Sequence, residues 1–433
     1  MSRTMREKLF SMVELQEKIY EAIKGFLAEE NDSRTRQELP GILADVQEGA
    51  ISIGDTVEAL CGEGTDTVRE LEDYCETLYQ MSLDIDPPES KKNLLAQMYV
   101  HLQKIRIFLE KDIPDKREVV FLPYKASMWD SLESVWMAAK EDENADVYVI
   151  PIPYYDRNPD GTFREEHYEG GLFPDYVEIT HYEDYNFELR RPDMVFIHNP
   201  FDDGNYVTSV HPFFYSQNIK QFTEKLVYIP YYIWDGRNVA EHVMMVKVLF
   251  YADYVIVQNE REKEEYIRQF ESIFPGFDLA KKLLPLGSPK TDKVRSLSRE
   301  SVEVPEEWKK KTEGKKVIFY NTSVGSLLQG KEAYIAKIHK VICFFAERED
   351  AVLLWRPHPL IEATLLSMRP KLYKKYMEIK NQFIQEDIGI FDDTPDMYPA
   401  IGLSDAYYGD WSSVVWLYQE TGKPVMIQHI ANG

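Results

Sequence analysis

Two short segments in the C-terminal third of the chain combine residue types that suit binding and transfer of a phosphate group. The first is Trp355-Arg356-Pro357-His358-Pro359, which directly follows a run of apolar residues. The planar guanidinium of Arg356 can bind two phosphate oxygens at once, and His358 can donate to a phosphate oxygen or protonate a leaving group. A rigid, proline-flanked surface turn with an incidental histidine is the alternative interpretation of the same residues.

The second segment is Asp410-Trp411-Ser412-Ser413, which precedes the apolar, helix-forming stretch Val414–Glu420. The first turn of a helix carries free backbone N–H groups and a positive dipole end, so Ser412 and Ser413 would there form an anion site with two added hydroxyls. The alternative is an ordinary helix cap formed by Asp410 or Ser412. Because both segments follow predicted strands of one sheet, we expect His358 and Ser412 to face one ligand.

Alternating strands and helices must position these residues. Short apolar runs separated by helix-forming stretches predict parallel sheets with crossover connections, first over residues 116–285 and again over residues 286–433. We expect a hinge between these two lobes near Pro285–Asp292. The predicted strands of the first lobe are Val119–Pro123, Val147–Pro151, Met194–His198, Leu226–Ile229 and Tyr254–Gln258, and those of the second are Val317–Asn321, Val352–Trp355, Ile388–Phe391, Ala406–Tyr408 and Pro424–Gln428.

Residues 1–115 show apolar residues at helical spacing and little else. Breaks at Asn31–Ser33, Gly62–Gly64 and Asp86–Pro88 divide them into three or four helices, which predicts a bundle. We assign this bundle to self-association or partner binding. Within the first lobe, the long aromatic and acidic stretch Tyr154–Asp193 predicts a functional loop or lid.

Composition restricts the possible functions. The 433 residues carry a net charge of −24, which disfavours general nucleic-acid binding, whereas residues 286–433 are neutral and contain the clusters Lys309–Lys311 and Lys315–Lys316. We therefore expect an anionic ligand in this last third. Apolar runs are too short to span a bilayer, the N-terminus lacks signal-peptide features, and the three cysteines are widely spaced, which together predict a cytoplasmic protein with reduced thiols.

Several common signatures are absent from the sequence. It contains no G-x-x-x-x-G-K-[ST], G-x-G-x-x-G, H-E-x-x-H or G-x-S-x-G motif, and its histidines and carboxylates do not follow metal-ligand spacing. We therefore predict no protein-bound metal and no cofactor.

The order of the C-terminal motifs resembles that of the CDP-glycerol glycerophosphotransferases, the polymerases and primases of teichoic-acid synthesis. In that family R-P-H-P is followed about fifty residues later by D-[aromatic]-S-S, an apolar helix and K-P-V, as in this chain. Gly287–Asp292 is similar to the family's G-x-P-R-x-D turn, and Lys316–Asn321 with Thr322-Ser323 to its strand and polar loop. The resemblance covers roughly Leu286 to the end of the chain.

The resemblance implies a glycosyltransferase-B-like α/β fold, with two Rossmann-like lobes following the helical N-terminal region. It implies that CDP-glycerol binds the second lobe without a metal and that an acceptor hydroxyl attacks the donor β-phosphate and expels CMP. Carried over by position, His358 is catalytic, and the substrate-binding residues are Arg356, Asp410, Ser412, Ser413, Lys290, Thr322, Ser323 and Gly287. Phosphoryl-type transfer depends on such positioned cations and N–H donors.

One departure from the family lies in the first lobe. Where the family carries W-H-G-T-P-L-K, this chain has Leu226–Gly236 with no histidine, so the base that activates the acceptor must come from elsewhere. The candidates are His211, His198 and Asp235, of which we select His211 as the second catalytic residue.

Three functions remain open at this stage. The first is transfer of glycerol phosphate, or a related polyol phosphate, from a CDP-activated donor to a hydroxyl acceptor in teichoic-acid-type polymer synthesis. The others are a glycosyltransferase that uses a nucleotide sugar and a degenerate, non-catalytic nucleotide-binding module. We also expect peripheral contact with a membrane-linked acceptor at the inner membrane face, homo-oligomers formed through the N-terminal helices, and a native chain that continues beyond Gly433.

Overall fold

The computed structural model describes residues 3–28, 33–83, 88–234, 236, 239, 241–394 and 396–428. Contacts divide the chain into two compact units. The first comprises residues 1–124, 136–227 and 250–254, and the second comprises residues 125–135, 228–249 and 255–433. The three-part division into 1–115, 116–285 and 286–433 stays a prediction.

The described part of the N-terminal region consists of four helices, as its periodicity predicts. They are α1 (Arg3–Ala28), α2 (Ser33–Cys61), α3 (Asp66–Ser82) and α4 (Pro88–Asp112). The predicted break at Gly62–Gly64 is present: both glycines have positive φ, and Thr65 then accepts a hydrogen bond from Val68 N to cap α3. Residues 29–32 and 84–87, which contain most of the other two predicted breaks, lie outside the described residues. The apolar faces of these four helices pack on one another in a single hydrophobic core.

The first unit continues with a parallel sheet. Its elements are β1 (Arg117–Leu122), a 3₁₀ turn (Ala126–Ser131, assigned to the second unit), α5 (Glu133–Lys140), β2 (Ala145–Val149), β3 (Tyr154–Arg157), β4 (Phe163–His167), α6 (Phe187–Arg190), β5 (Met194–Ile197), β6 (Thr208–Val210), α7 (Ser216–Ile219) and β7 (Lys225–Tyr228). Strand β1 pairs in parallel with β2 and with β5, and the order continues to β7. Each predicted strand lies within two residues of an observed one.

The stretch 154–193 has more regular structure than the predicted loop or lid. It contains β3, β4 and α6, and β3 pairs antiparallel with β4 on one side and with β6 on the other. These strands could not be predicted from the sequence because they lack alternating apolar residues. All residues of β4 except the last are exposed, and three of its five residues are charged. Whether the stretch acts on a substrate stays a prediction.

The rest of the chain alternates helices and strands. The elements are α8 (Glu241–Met244), α9 (Val248–Tyr251), β8 (Tyr254–Val257), α10 (Glu260–Ile273), β9 (Leu283–Pro285), α11 (Pro289–Arg295), α12 (Glu306–Thr312), β10 (Lys316–Thr322), α13 (Val324–Ala346), β11 (Ala351–Pro357), α14 (Ile361–Met368), α15 (Pro370–Gln385), β12 (Ile390–Phe391), α16 (Tyr398–Leu403), β13 (Ala406–Gly409), α17 (Ser413–Gln419) and β14 (Val425–Ile427). Five of the strands form one parallel sheet in the order β12-β11-β10-β13-β14.

Two apolar clusters pack against this five-stranded sheet and fix its helices. Trp355 on β11 is fully buried with residues of α13, α14 and α15, and Phe319 on β10 is fully buried with residues of α16 and α17. The predicted α/β class, with parallel sheets after an all-helical region, is thereby confirmed. Among the described residues, no helix has the length and apolar character needed to cross a membrane.

Candidate active site at the carboxyl edge of the C-terminal sheet

Strand β10 lies between the two strands that carry the predicted motifs. Asn321 on β10 is the register partner of Arg356 on β11 and of Gly409 on β13. All three strands are parallel, so their carboxyl ends share one edge of the sheet, where open α/β sheets bind ligands. The Arg-Pro-His-Pro turn and the Asp-Trp-Ser-Ser turn therefore leave the sheet on either side of β10.

The side chain of Asn321 joins the two turns. Its Nδ2 donates to the carbonyl oxygen of Arg356 at 3.1 Å, and its Oδ1 accepts a hydrogen bond from Ser412 Oγ at 3.0 Å. The backbones approach closely here, since a Cβ on Gly409 would lie 2.3 Å from the Asn321 carbonyl oxygen. Only glycine fits at that position. Sequence reasoning placed Asn321 at the end of a strand without assigning it a role.

His358 presents a hydrogen-bond donor to solvent. Its backbone N–H donates to the Thr322 carbonyl at 2.9 Å, which holds the turn against β10, and the side chain is exposed. Its Nδ1 accepts a hydrogen bond from Leu360 N at 3.1 Å. In the neutral ring the proton must then lie on Nε2. This arrangement favours a hydrogen-bond donor over a base.

Arg356 is engaged by groups of the protein itself. Its guanidinium, only 11% exposed, donates to Asp392 Oδ2 at 2.5 Å and to the carbonyl oxygen of Thr394 at 2.7 Å. Asp392 is fully buried and also accepts from the backbone N–H and hydroxyl of Thr394. The fork therefore fixes the loop after β12 in this structure. Its proposed contact with donor phosphate requires a free N–H or a change of partners.

Asp410 is buried, and its carboxylate contacts other groups of the protein. Its carboxylate accepts from Ser323 N at 2.6 Å and from Tyr334 OH at 2.8 Å, and it forms a salt bridge with Lys337, whose side chain is 9% exposed. Burial and the neighbouring Asp410 raise the pKa of Tyr334 well above its ordinary value. These bonds tie the Asp-Trp-Ser-Ser turn to the start of α13. Asp410 thus orients the surrounding turn.

The remaining predicted hydroxyl residues differ in accessibility. Thr322 is fully buried and accepts from Trp355 Nε1 at 3.1 Å, while Ser323 caps α13 by accepting from Ser326 N at 3.2 Å. Ser412 precedes α17, but its hydroxyl bonds Asn321 and forms no cap bond with that seven-residue helix. Ser413 is exposed. Of these four, Ser413 has the most accessible side chain.

In the Gly-Ser-Pro-Lys turn, Lys290 is a second predicted phosphate-binding cation that already pairs with a carboxylate of the protein. Gly287 has a φ of +103°, which glycine adopts without strain, and α11 then begins at Pro289. The Nζ atom of Lys290 lies 3.1 Å from Asp130 Oδ1, and the two side chains are 14% and 9% exposed. Tyr398 OH donates to the other Asp130 oxygen. Asp130 comes from the 3₁₀ turn that follows β1 and belongs to the same unit as Lys290.

The lysine of the Lys-Pro-Val segment has a structural role. Lys423 Nζ donates to the carbonyl oxygens of Ile401, Gly402 and Ser404 at 3.0, 3.0 and 2.7 Å. These carbonyls lie at the end of α16, where a cation is favourable. Burial lowers the pKa of Lys423, and its three donors are fully used.

The candidate bases of the first lobe lie in different surroundings. His198 is fully buried, and its Nε2 accepts a hydrogen bond from Tyr124 N at 3.1 Å. His211 is half-buried, and its Nδ1 accepts from Phe213 N at 3.2 Å. As in His358, this bond places the neutral ring's proton on Nε2. Asp235 lies outside the described residues.

In the part of the chain that the structure describes, one group of ligand-type side chains occurs in the antiparallel sheet. Atoms of Asp156, Glu165 and His167 lie within 4.8 Å of one another. Asp156 is already paired with Arg164 at 2.6 Å, and that hydrogen bond lowers the pKa of the Asp156 carboxyl. The group lies apart in sequence from every predicted site residue. The prediction that no metal takes part stays a prediction.

Four residues of the site had no predicted role: Asn321, Lys337, Asp392 and Thr394. Their partners among the predicted residues lie 35 to 91 positions away in the chain, so no local spacing indicates them. In the sequence, only a position at the end of a strand indicates a role, and only for two of the four. Asn321 ends a strand just before Thr322-Ser323, and Asp392 directly follows one. Polar residues at these strand ends are natural contributors to a site at the carboxyl edge of a sheet.

Residues 235–430 match the family model described as CDP-Glycerol:Poly(glycerophosphate) glycerophosphotransferase. The resemblance is confirmed. The match begins before Leu286, where the sequence motifs begin, and it includes the whole five-stranded sheet. It indicates a transferase. No curated protein sequence matches the chain.

The solved structures that align with this chain are distant in sequence. The wall teichoic acid polymerase TagF aligns with 84% of this chain and 79% of its own, at 15% identity and a TM-score of 0.40. The Staphylococcus aureus MnaA–UDP structure aligns with 72% of this chain and 78% of its own, at 13% identity and a TM-score of 0.44. A putative UDP-N-acetylglucosamine 2-epimerase from Listeria monocytogenes aligns with 72% and 79%, at 14% identity and a TM-score of 0.43.

Proposed function

We propose that the chain transfers glycerol phosphate, or a related polyol phosphate, from a CDP-activated donor to a hydroxyl acceptor in teichoic-acid-type polymer synthesis. One observation carries the proposal. Asn321 bonds both the Arg-Pro-His-Pro turn and the Asp-Trp-Ser-Ser turn, so the two motifs flank a single strand end. The family match over these same residues supplies the chemical class.

In the proposed reaction, an acceptor hydroxyl oxygen attacks the β-phosphorus of the donor. The bond from that phosphorus to the bridging oxygen breaks, CMP leaves, and the acceptor proton passes to a base. Such a reaction depends on positioned donors that stabilise charge on the phosphate oxygens. The Nε2–H of His358 is the donor best placed for this, because its ring is exposed and its Nδ1 is fixed by Leu360.

The other predicted residues take supporting roles in the proposal. Ser412 and Ser413 contact the donor diphosphate, with Lys290 and Arg356 contributing positive charge nearby. Thr322, Ser323, Asp410 and Gly287 shape the backbone around it. On the acceptor side, His211 orients the attacking hydroxyl through its Nε2–H, and deprotonation by His211 requires that Nδ1 release Phe213 N so that the ring changes tautomer. No metal enters the proposed reaction.

A base-specificity screen tests the donor assignment. A ligand that binds only the folded state stabilises it by RT ln(1 + [L]/Kd), about 2.7 kcal/mol at a hundredfold excess over Kd. We expect CDP-glycerol and CDP to raise Tm more than the matching uridine and guanosine nucleotides. Release of CMP from CDP-glycerol, dependent on an added polyol acceptor, would then establish the transfer. A preference for uridine would instead indicate a glycosyltransferase that uses a nucleotide sugar.

The non-catalytic alternative has one structural observation in its favour. The two predicted phosphate-binding cations, Arg356 and Lys290, already pair with Asp392 and Asp130. A binding module needs no free cation for catalysis. Cytidine-specific binding without CMP release from any hydroxyl acceptor would support this alternative and contradict the transferase.

A further inference from the structure

Six aromatic rings of the first unit form a continuous series of contacts. Neighbouring ring centroids in this series lie 4.8 to 6.2 Å apart. We call the series the aromatic band, and in the order of their contacts its members are Phe163, Tyr155, His211, Phe214, Tyr182 and Tyr168. The band therefore includes His211, the residue assigned above to the acceptor side of the proposed reaction.

The antiparallel sheet places part of the band on one of its faces. Tyr155 of β3 is the register partner of Glu166 on one side and of Ser209 on the other. His211 follows Ser209 by two residues and thus lies on the same side. Phe163 precedes Glu166 by three residues, so a regular strand would place the two on opposite faces. A β-bulge shifts the register between them, and Phe163 therefore stacks on Tyr155 with ring planes 9° apart.

Most rings of the band are accessible to solvent. Phe163 and Tyr168 are 42% and 37% exposed, and Tyr155, Tyr182 and His211 are half-buried. A contiguous exposed aromatic surface, unlike a single exposed ring, is typical of a binding site. The carboxylate of Glu166 is exposed beside these rings.

The charges around the band disfavour a ligand that carries phosphate. Residues 154–193 contain eleven acidic residues, four arginines and no lysine. Each arginine already bonds a group of the protein. Arg157 donates to the carbonyl oxygen of Gly161, Arg164 pairs with Asp156, Arg190 pairs with Glu118, and Arg191 donates to the carbonyl oxygen of Gln221. A phosphate group would therefore meet like charges here and lose the cations that it needs.

The spacing of the rings disfavours a cationic ligand. A cation is bound by ring faces that surround it. Here Tyr155 and Phe163 lie 4.8 Å apart, and Tyr168 and Tyr182 lie 5.6 Å apart, so the rings contact one another and leave no space for an ammonium group between them. A ligand without net charge, which has hydroxyl groups and an apolar face, fits both the rings and the carboxylate.

We propose that the aromatic band binds a neutral, polyhydroxylated ligand of the sugar or polyol class, and that this ligand is the acceptor. Its C–H groups lie against the exposed ring of Phe163, because the negative face of an aromatic ring attracts their partial positive charge. One hydroxyl donates to Glu166, which also accepts from the hydroxyl of Tyr155, and another accepts from Nε2–H of His211. The identification of the ligand as the acceptor rests on the proposed function.

Saturation-transfer NMR of the full-length protein tests the class of ligand. The probes are glucose, N-acetylglucosamine, maltose and sorbitol, each beside its own 6-phosphate, together with choline. We expect saturation transfer to at least one neutral probe, strongest at its C–H protons, and weaker transfer to the matching phosphate. Preference for a phosphate ester or for choline, or no transfer to any neutral probe, would overturn the proposal.

Removal of the stacked rings tests the place of binding. The variant Y155A/F163A should bind the best neutral probe about tenfold more weakly, since two ring contacts are lost. F163A alone should lose part of this affinity and keep the wild-type Tm, because its ring is exposed. The control F26A/Y79A removes the same two kinds of ring from exposed positions of α1 and α3 and should bind as the wild type does. An equal loss in the control, or none in Y155A/F163A, would contradict binding at the band.

Glu166→Gln tests the exclusion of phosphate. The amide keeps an acceptor for the Tyr155 hydroxyl and removes the negative charge. We expect the preference for the neutral probe over its phosphate to fall several-fold. Glu178→Gln, at an exposed position of the same stretch, is the control and should leave the preference unchanged. The same preference in Glu166→Gln and the wild type would contradict electrostatic selection at the band.

Turnover tests whether the bound ligand is the acceptor. With saturating CDP-glycerol, the best neutral probe should support CMP release, and its KM should rise about tenfold in Y155A/F163A while the affinity for CDP stays the same. A probe that binds the band but does not support CMP release would contradict its identification as the acceptor. Loss of cytidine-specific binding in the wild type would instead contradict the proposed function, and the NMR result would stand without it.

Discussion

The edge of the C-terminal sheet and the histidine-bearing loops of the first lobe differ in how their polar residues are connected. At the sheet edge, Asn321 joins two turns, and the buried carboxylates Asp392 and Asp410 each hold a cation and a backbone N–H. In the first lobe, His198 Nε2 accepts a hydrogen bond from Tyr124 N, and His211 Nδ1 accepts one from Phe213 N.

This difference bears on how substitutions combine within each region. The polar residues of the C-terminal motifs depend on one another through buried bonds, so replacing one leaves another without its partner, at a cost of about 1–3 kcal/mol or more. The hydrogen bond of His211 instead comes from Phe213, two residues further along the chain. We therefore expect substitutions at the sheet edge to act together and the substitution of His211 to act singly.

The largest expected effect is on turnover. His358→Ala should lower CMP release by about 10²- to 10³-fold, the usual effect of removing one hydrogen-bond donor that stabilises developing charge, with Tm unchanged because the ring is exposed. His339→Ala, at an exposed position of α13, is the control and should have no effect. Near wild-type turnover of His358→Ala would rule out its role.

His211→Ala should lower turnover without weakening donor binding. An equal loss of donor affinity would contradict the assignment of His211 to the acceptor side.

The second effect is on folding stability. Asp410→Asn leaves Lys337 buried without a counter-charge, which should lower the free energy of unfolding by about 3 kcal/mol. Lys337→Met in the same chain should restore part of that loss, because it removes the unpaired charge. Asp393→Asn, at the exposed position beside Asp392, should change stability little. Denaturant unfolding measures all three, and equal stability of Asp410→Asn and wild type would contradict the network.

The third effect is on the pH dependence of folding stability, through Glu262, which lies near the segment Leu226–Gly236. Glu262 of α10 accepts from Gln258 N at 2.6 Å, and burial raises its pKa to about 7. The unfolded chain releases this proton near pH 4.5, so stability is lost as pH rises from about 4.5 to about 7, by up to about 3 kcal/mol. The hydroxyl of Tyr266, one turn after Glu262 in α10, is hydrogen-bonded to the hydroxyl of Tyr232 in the segment Leu226–Gly236, with the two oxygens 2.6 Å apart.

Glu262→Gln should remove this pH dependence while keeping an acceptor for Gln258 N. The difference in unfolding free energy between variant and wild type should grow from pH 5 to pH 8 in the variant's favour. The same slope in both proteins would show that Glu262 is ionised in the folded state throughout this range.

The smallest effect is on donor affinity. Replacing Ser412 and Ser413 together with alanine removes two hydroxyls from the proposed diphosphate contact and should weaken CDP-glycerol binding about tenfold, near 1.4 kcal/mol. Calorimetric titration measures the change. Unchanged affinity would show that the two serines serve only the start of α17.

Much of the fold could be predicted because its strands are short apolar runs. Strands β10, β11 and β13 lie within two residues of their predicted positions, and their parallel pairing places His358 and Ser412 at one edge. Strands β3 and β4 could not be predicted, since their charged, exposed residues give no alternating apolar pattern. The roles of the motif residues stay predictions, and the buried partners of Arg356 and Asp410 were not predicted, because tertiary packing alone brings Asp392 and Lys337 to them.

The central claim is that one nucleotide diphosphate contacts the turns on both sides of β10. Amide hydrogen exchange with and without CDP-glycerol tests it most directly. We predict that the ligand slows exchange in three separate segments, residues 321–326, 356–361 and 410–415, and leaves residues 195–212 of the first lobe unchanged in the absence of acceptor. Slowed exchange in only one of the three segments, or in none, would contradict a shared donor site.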